Sequence, residues 1–217
     1  GTRSQGIQLY SAGFQPIGSL KDTPGFPPGK AVHRLHFDDE GRLWAVTDDG
    51  IGRFDTAFRA FNPIPPGGNT VIDKTIRAII DLDSCHLLFG TFNGLFLTDK
   101  TTGKVTSASP STGQAGELSH FSVYSLGKDR QGNLWVGTNN GGINYHTGYN
   151  DRFRLIRPDR FSGIVGTGCE DSRGNLWFAT EGGGLLFYNP VNGQQHSYLL
   201  TEDSRQAYNS NIIKAVY

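Results

Sequence analysis

The chain has 217 residues, of which 30 are Gly, and its 20 Lys plus Arg balance its 20 Asp plus Glu for a formal net charge of zero. Gly is about twice as frequent as its usual ~7%, while charged residues make up only 18% against ~25% in an ordinary domain. No stretch approaches the ~18 apolar residues of a membrane span, no basic excess exists to drive nucleic-acid binding, and aromatics at 12% argue against a disordered tail. What remains is a turn-rich β chain long enough to bury a sizeable core.

In chain order, the first element reads as the end of a strand. Thr2–Tyr10 matches Thr180–Tyr188 further on, and Phe14–Ile17 reads as the next strand. A repeat then begins. Asp38-Asp-Glu-Gly41-Arg-Leu43-Trp44-Ala-Val-Thr47 recurs from Asp129 to Thr138 and from Asp171 to Thr180, with a degraded copy from Leu82 to Thr91. An apolar residue, Val32, Ile76, Val123 or Val165, precedes the Trp or Leu by 12 positions in each copy. Successive copies are 44, 47 and 42 residues apart, and a period of this length decides a fold.

Each copy reads as four strands. Strand A is Val32–Phe37, Ile76–Leu82, Val123–Lys128 or Val165–Glu170. Asp-x-x-Gly makes a tight turn, with Asp suited to its first position and Gly to its fourth. Strand B is Leu-Trp-x-x-Thr, and a Gly turn follows it. Strand C is Ile51–Phe54, Leu95–Leu97, Ile143–Tyr145 or Leu185–Tyr188. Strand D is Phe58–Phe61, Val105–Ser107, Phe153–Ile156 or His196–Leu199. Adjacent Leu and Trp in strand B point to opposite faces, so both faces must be buried. That pattern describes an all-β fold, a β-propeller of four-stranded antiparallel blades.

The chain therefore reads as a partial array: a half blade over 1–30, blades over 31–73, 74–120, 121–162 and 163–210, and one further first strand in 211–217. The regular Trp44, Trp135 and Trp177 are expected in the core between blades. Thr47, Thr91, Thr138 and Thr180 are expected to tie strand ends. Cys85 and Cys169 make no disulfide framework, though a single bridge is open. Gly1–Gln5 has no charged-then-apolar leader pattern, so the chain is cytosolic or its leader has been removed.

At these residues the sequence resembles the two-component regulator propeller repeat, roughly Asp-x-x-Gly-x-Leu-Trp-x-Gly-Thr-x-x-Gly-Gly-Leu. Gly174–Leu185 and Gly132–Ile143 are close matches, Gly41–Ile51 a fair one and Cys85–Leu95 a weak one. The resemblance implies a sensor portion of a membrane histidine kinase, periplasmic in location, with the kinase in other parts of the parent receptor. It also implies oligosaccharide ligands, contact with neighbouring blades or domains, and dimerisation through that receptor. No catalytic role is expected of the chain itself.

In a propeller the B–C turns and D–A connections share one end, which makes those loops the default ligand surface. Sugars need flat apolar faces together with amides, carboxylates and guanidinium groups for their hydroxyls. Asn139, Asn140, Arg157, Asp159, Arg160, Phe161 and Glu181 have that chemistry on adjacent blades. The plainer reading of each Asn and Asp is that turns favour them.

Asp38, Asp129 and Asp171 lie at the opposite end as turn formers, not paired acids. The six His occupy inequivalent strand positions, so no metal site or lyase centre is expected from them. No calcium-loop spacing, phosphate loop, nucleophile elbow or cofactor motif occurs. The alternative functions are a propeller scaffold for protein contacts, using rigid segments such as Asn62–Pro66 and Pro24–Pro28, and, last, a propeller lyase.

Overall fold

The computed structural model describes residues 1–64, 76–109, 117–148, 153–158, 163–200 and 211–217. Every named element among them is a β-strand. A two-stranded sheet pairs β1 (Gln8–Tyr10) with β2 (Pro16–Ser19). Four antiparallel sheets follow, each ordered as the chain runs. The first is β3 (Val32–Phe37), β4 (Leu43–Thr47), β5 (Gly50–Phe54) and β6 (Phe61–Pro63). The second is β7 (Ala78–Asp81), β8 (His86–Thr91), β9 (Gly94–Asp99) and β10 (Val105–Ser109). The third is β11 (Val123–Lys128), β12 (Leu134–Thr138), β13 (Ile143–His146) and β14 (Arg154–Ile156). The fourth is β15 (Ile164–Glu170), β16 (Leu176–Glu181), β17 (Leu185–Tyr188) and β18 (Gln195–Tyr198). These are the blades of a partial β-propeller.

Two compact units divide the chain: residues 1–89 with 96–107, and residues 90–95 with 108–217. In the first unit Leu43 and Ala45 of β4 join Ile7, Leu20, Phe26, Phe54 and Phe61 in one core. Trp44 and Val46, on the other face of that strand, join Leu87, Phe89 and Phe96 of the second sheet. In the second unit Trp135 packs edge-on against Phe178 of the fourth sheet, ring centroids 5.1 Å apart, within a core that includes Ile143, Leu186 and Tyr188. The period-2 alternation of strand B thus buries both faces, as one apolar sheet stacked between others requires. Close approach needs Gly137, where a Cβ would lie 2.8 Å from both Cγ1 and the carbonyl oxygen of Val165.

Trp177 departs from this pattern. It is only half-buried, held by Phe187 and Tyr198 of its own sheet, and among the described residues no further sheet covers that face. Other expectations shift by a few residues. Strand D of the first blade starts at Phe61 because Asp55 Oδ1 accepts the Arg59 and Ala60 amides and Phe58 adopts a φ of 56°. Phe14, at φ 58°, likewise sits in a turn, which moves the following strand to Pro16–Ser19. The last segment contributes one isolated bridge, Ile212 to Glu181, and no strand over 213–217. Cys85 and Cys169 are free thiols, and burial pushes the Cys169 thiol up.

The A–B turns are built around one carboxylate. Asp38 Oδ1 accepts the Glu40 and Arg42 amides, while Oδ2 accepts Arg42 Nε at 2.7 Å and Trp44 Nε1 at 2.8 Å. Asp171 repeats this with Arg173 N, Asn175 N, Asn175 Nδ2 and Trp177 Nε1. Asp129 keeps the turn bonds but takes the Tyr145 hydroxyl in place of an indole. Gly41, Gly132 and Gly174 close the turns at φ 76°, 83° and 83°, a left-handed conformation that favours Gly.

Burial acts to raise the pKa of Asp38, but the hydrogen bonds from Trp44 and Arg42 outweigh it and hold the group below its ordinary value. Asp171 is lowered by its bonds from Asn175 and Trp177. A depressed folded pKa stabilises the fold above the unfolded value of ~3.9, and that stability is lost as pH falls through the folded value. Melting followed by circular dichroism should therefore show Tm falling below about pH 4, with a shallower fall in Asp38→Asn. Asp38→Ala should cost about 2–3 kcal/mol at neutral pH, because it strands a buried indole N–H. Parallel pH profiles for wild type and Asp38→Asn would contradict this account.

Candidate functional site

The end of the second unit that carries its B–C turns is held by hydroxyls below it. Thr138 Oγ1 donates to the Gly142 carbonyl at 2.9 Å and Thr180 Oγ1 to that of Gly184 at 2.7 Å. Both Thr are fully buried. Thr47 and Thr91 make the same bond in the first two blades. The threonines thus close each B–C turn, and the loop residues above them are free to differ.

Four of the seven expected site residues lie among the described residues, and the backbone brings them to this one end. The Asn139 amide donates to Ser122 O, and Asn139 bridges Ile164. The amide of Asn140 donates to Gly163 O at 2.8 Å. A Cβ on Gly163 would lie 2.2 Å from Glu181 O, and one on Gly142 would lie 3.3 Å from Arg157 Cβ. Asn139 and Glu181 are half-buried, and Asn140 and Arg157 are exposed. Asp159, Arg160 and Phe161 lie outside the described residues, as does most of each D–A loop.

The side chains are not equally available. Glu181 forms an ion pair with Lys214 at 2.5 Å, both groups partly exposed, which contributes little to stability. A ligand hydroxyl reaching Glu181 would share it with that ammonium. Asn140 occupies the left-handed region at φ 58°, so its backbone serves the turn while its exposed amide is left outside.

Two residues under the loops carried no functional expectation. Asn144 is fully buried in β13, where the corresponding strand positions hold Phe96 and Leu186. Its Oδ1 accepts the Ser119 amide at 2.8 Å and its Nδ2 donates to Ser119 Oγ at 2.9 Å; Ser119 Oγ in turn donates to Gly141 O. Asn211, also fully buried, accepts the Gly182 and Gly184 amides through its carbonyl and the Leu200 amide through Oδ1. Each pins one B–C turn. A polar residue at an apolar strand position was the sequence signal for Asn144. Among the described residues no group of three or more His, Cys, Asp or Glu is placed to hold a metal ion.

The turn role of Asn140 is tested by substitution. Asn140→Gly should leave Tm unchanged or slightly raised, because Gly accepts φ 58° without strain, whereas Asn140→Ala should lower stability by about 0.5–1 kcal/mol. Thermal denaturation of both variants measures this directly; equal Tm losses would contradict the turn assignment.

The family model described as two component regulator propeller matches residues 117–140, which span the Ser119 segment, β11, β12 and the Asn139–Asn140 turn. No curated protein matches the chain in sequence. Among solved structures, the extracellular domain of the hybrid two component system BT3049 from B. thetaiotaomicron is similar, with TM-score 0.69 and 24% identity over 96% of this chain and 27% of that one. The corresponding domain of BT4673 from the same organism has TM-score 0.68 and 23% identity over 94% of this chain and 29% of that one. Virginiamycin B lyase from Staphylococcus aureus has TM-score 0.68 and 15% identity over 93% and 66%. The chain thus spans less than a third of the length of the two receptor domains. At these identities the likeness to solved structures shows the fold, a β-propeller shared by extracellular domains of two component systems and by a lyase. Within that fold, residues 117–140 of this chain match the two component regulator propeller model.

Proposed function

We propose that this chain is an extracytoplasmic, periplasmic sensor propeller of a two-component receptor, and that it binds oligosaccharides or relays their binding to a histidine kinase elsewhere in the parent protein. The observation that carries this reading is the convergence of Asn139, Asn140, Arg157 and Glu181 at one end of two adjacent blades, above turns fixed by buried Thr, Asn144 and Asn211. Asp159, Arg160 and Phe161, which lie outside the described residues, are included in the proposal on the chemistry of their side chains alone. Amide, carboxylate and guanidinium groups on a rigid frame suit sugar hydroxyls. The family match and the likeness to extracellular domains of hybrid two component systems support the receptor context.

The likeness to lyases raises the question of catalysis. Here the histidines are used locally: His33 contacts Asp48, His36 contacts Asp81 and His86 contacts Asp83. His120 stacks on Phe121, His146 tilts against Phe153, and His196 meets Tyr198 edge-on. These partners favour a binding role over a shared His centre. In this reading the propeller binds and the parent receptor carries the chemistry.

Calorimetric titration of the chain with neutral di- to decasaccharides tests the proposal. Binding should appear for at least one of them and weaken roughly threefold to tenfold in Asn140→Gly, the loss of one hydrogen bond to a hydroxyl, with Tm retained. A folded protein that stays silent across the panel would sink the ligand-binding reading in favour of a scaffold.

A further inference from the structure

The opposite end of the second unit holds a cleft of about 680 Å³, within the ≈300–1,000 Å³ range of small-ligand sites. It opens between the C–D side of the third blade and the turns of the fourth. Phe153 and Arg154 form one wall; Arg173 and Val191 form the other; Tyr145 and Asn133 lie at its floor.

Among the described residues the charges that line this cleft are unbalanced. Both floor groups turn inward, Tyr145 Oη at 2.5 Å and Asn133 Nδ2 at 2.8 Å from Asp129 Oδ2. Asp129 is itself buried and also accepts two backbone amides. The nearby Asp171 accepts four donors of its own turn, and Glu170 pairs with Arg130 at 2.9 Å. Every one of these carboxylates is thus engaged. Arg154 and Arg173 are exposed, and among the described residues neither guanidinium has a hydrogen-bond or ion-pair partner. Two uncompensated guanidinium forks face one opening, and each matches the paired oxygens of a carboxylate or sulfate. Between them Phe153 and the 94%-exposed Val191 supply apolar surface.

We infer that this cleft is a second ligand site, distinct from the loop end, and that it takes an acidic saccharide: a sugar carrying a carboxylate or sulfate group, its anion on Arg154 and Arg173 and its ring face on Phe153. An open cleft lined in nearly equal parts by polar and apolar surface suits a hydroxylated ring with an apolar face better than a flat aromatic acid. The inference does not depend on saccharide binding at Asn140.

Titration of the whole chain with three tetrasaccharides tests it: a galacturonate oligomer with carboxylates, a carrageenan oligomer with sulfates, and uncharged galactotetraose. An acidic oligomer should bind at least tenfold more tightly than the neutral one, and which of the two binds identifies the anion. The preference should shrink between roughly 0.1 and roughly 0.5 M salt, where screening shortens to a few ångströms. The double variant Arg154→Ala/Arg173→Ala alters two exposed side chains and should keep its Tm while losing tenfold or more in affinity. Asn140→Gly should bind acidic oligomers as the wild type does, which separates this site from the loop end. Equal affinity for acidic and neutral oligomers, unchanged binding by the double variant, or no binding of any of the three would overturn the inference.

Discussion

One carboxylate in each A–B turn governs the rest of the structure. A strand hairpin leaves amides unpaired at its tip, and strand B begins with an indole or amide that must enter a core. In the first and fourth blades the Asp at the head of the turn settles both demands, taking two backbone amides, the side chain four residues on and the indole six residues on. Turn and core are thereby joined through one group. Its side chain is wholly buried at Asp38, so losing it would strand donors that have no access to water.

From that join the packing follows. In the first blade the indole of Trp44, fixed at one end, presents its ring to the next sheet, and Leu43 beside it faces the previous one. The third blade solves the problem differently. The Trp135 ring lies over Gly127, where a Cβ would sit 2.0 Å from Cζ2, and the Tyr145 hydroxyl takes the vacant place on Asp129. Burial first and this bond second raise the pKa of the phenol, which therefore stays protonated and keeps donating. The second blade lacks both Asp and Trp at these places; Asp83 instead caps the Cys85 and His86 amides beneath Leu88. Four blades thus reach the same sheet by three arrangements of the turn.

Much of this was legible in the sequence, for a physical reason. Strand B is buried on both faces, so its residues are constrained one by one, and its limits in the first and third blades match the Leu-Trp-x-x-Thr reading. Outer strands are half exposed and carry weaker constraints, which is why strand D of the first blade begins at Phe61 and not at Phe58. The loop end was legible because the up-and-down order of strands alone sends Asn139, Asn140, Arg157 and Glu181 to one end. The pairing of Glu181 with Lys214 was not, since it joins residues 33 apart with no shared motif. Nor was the cleft, whose walls come from turns of two different repeats. Asn144 lay in between: a lone polar residue at an apolar position marks something, but only the fold reveals Ser119 as its partner.

The repeat therefore serves the framework, and the proposed function assigns recognition to residues that differ between blades. Amide and indole chemical-shift mapping by NMR, during titration with any saccharide that binds, tests this division most directly. The account predicts that the moving resonances cluster at non-repeating positions, Asn139, Asn140 and Glu181 at one end or Phe153, Arg154 and Arg173 at the other, with the indoles of Trp44 and Trp135 unmoved. Shifts centred on those indoles and on the Asp38 and Asp129 turns, with the loops silent, would contradict it.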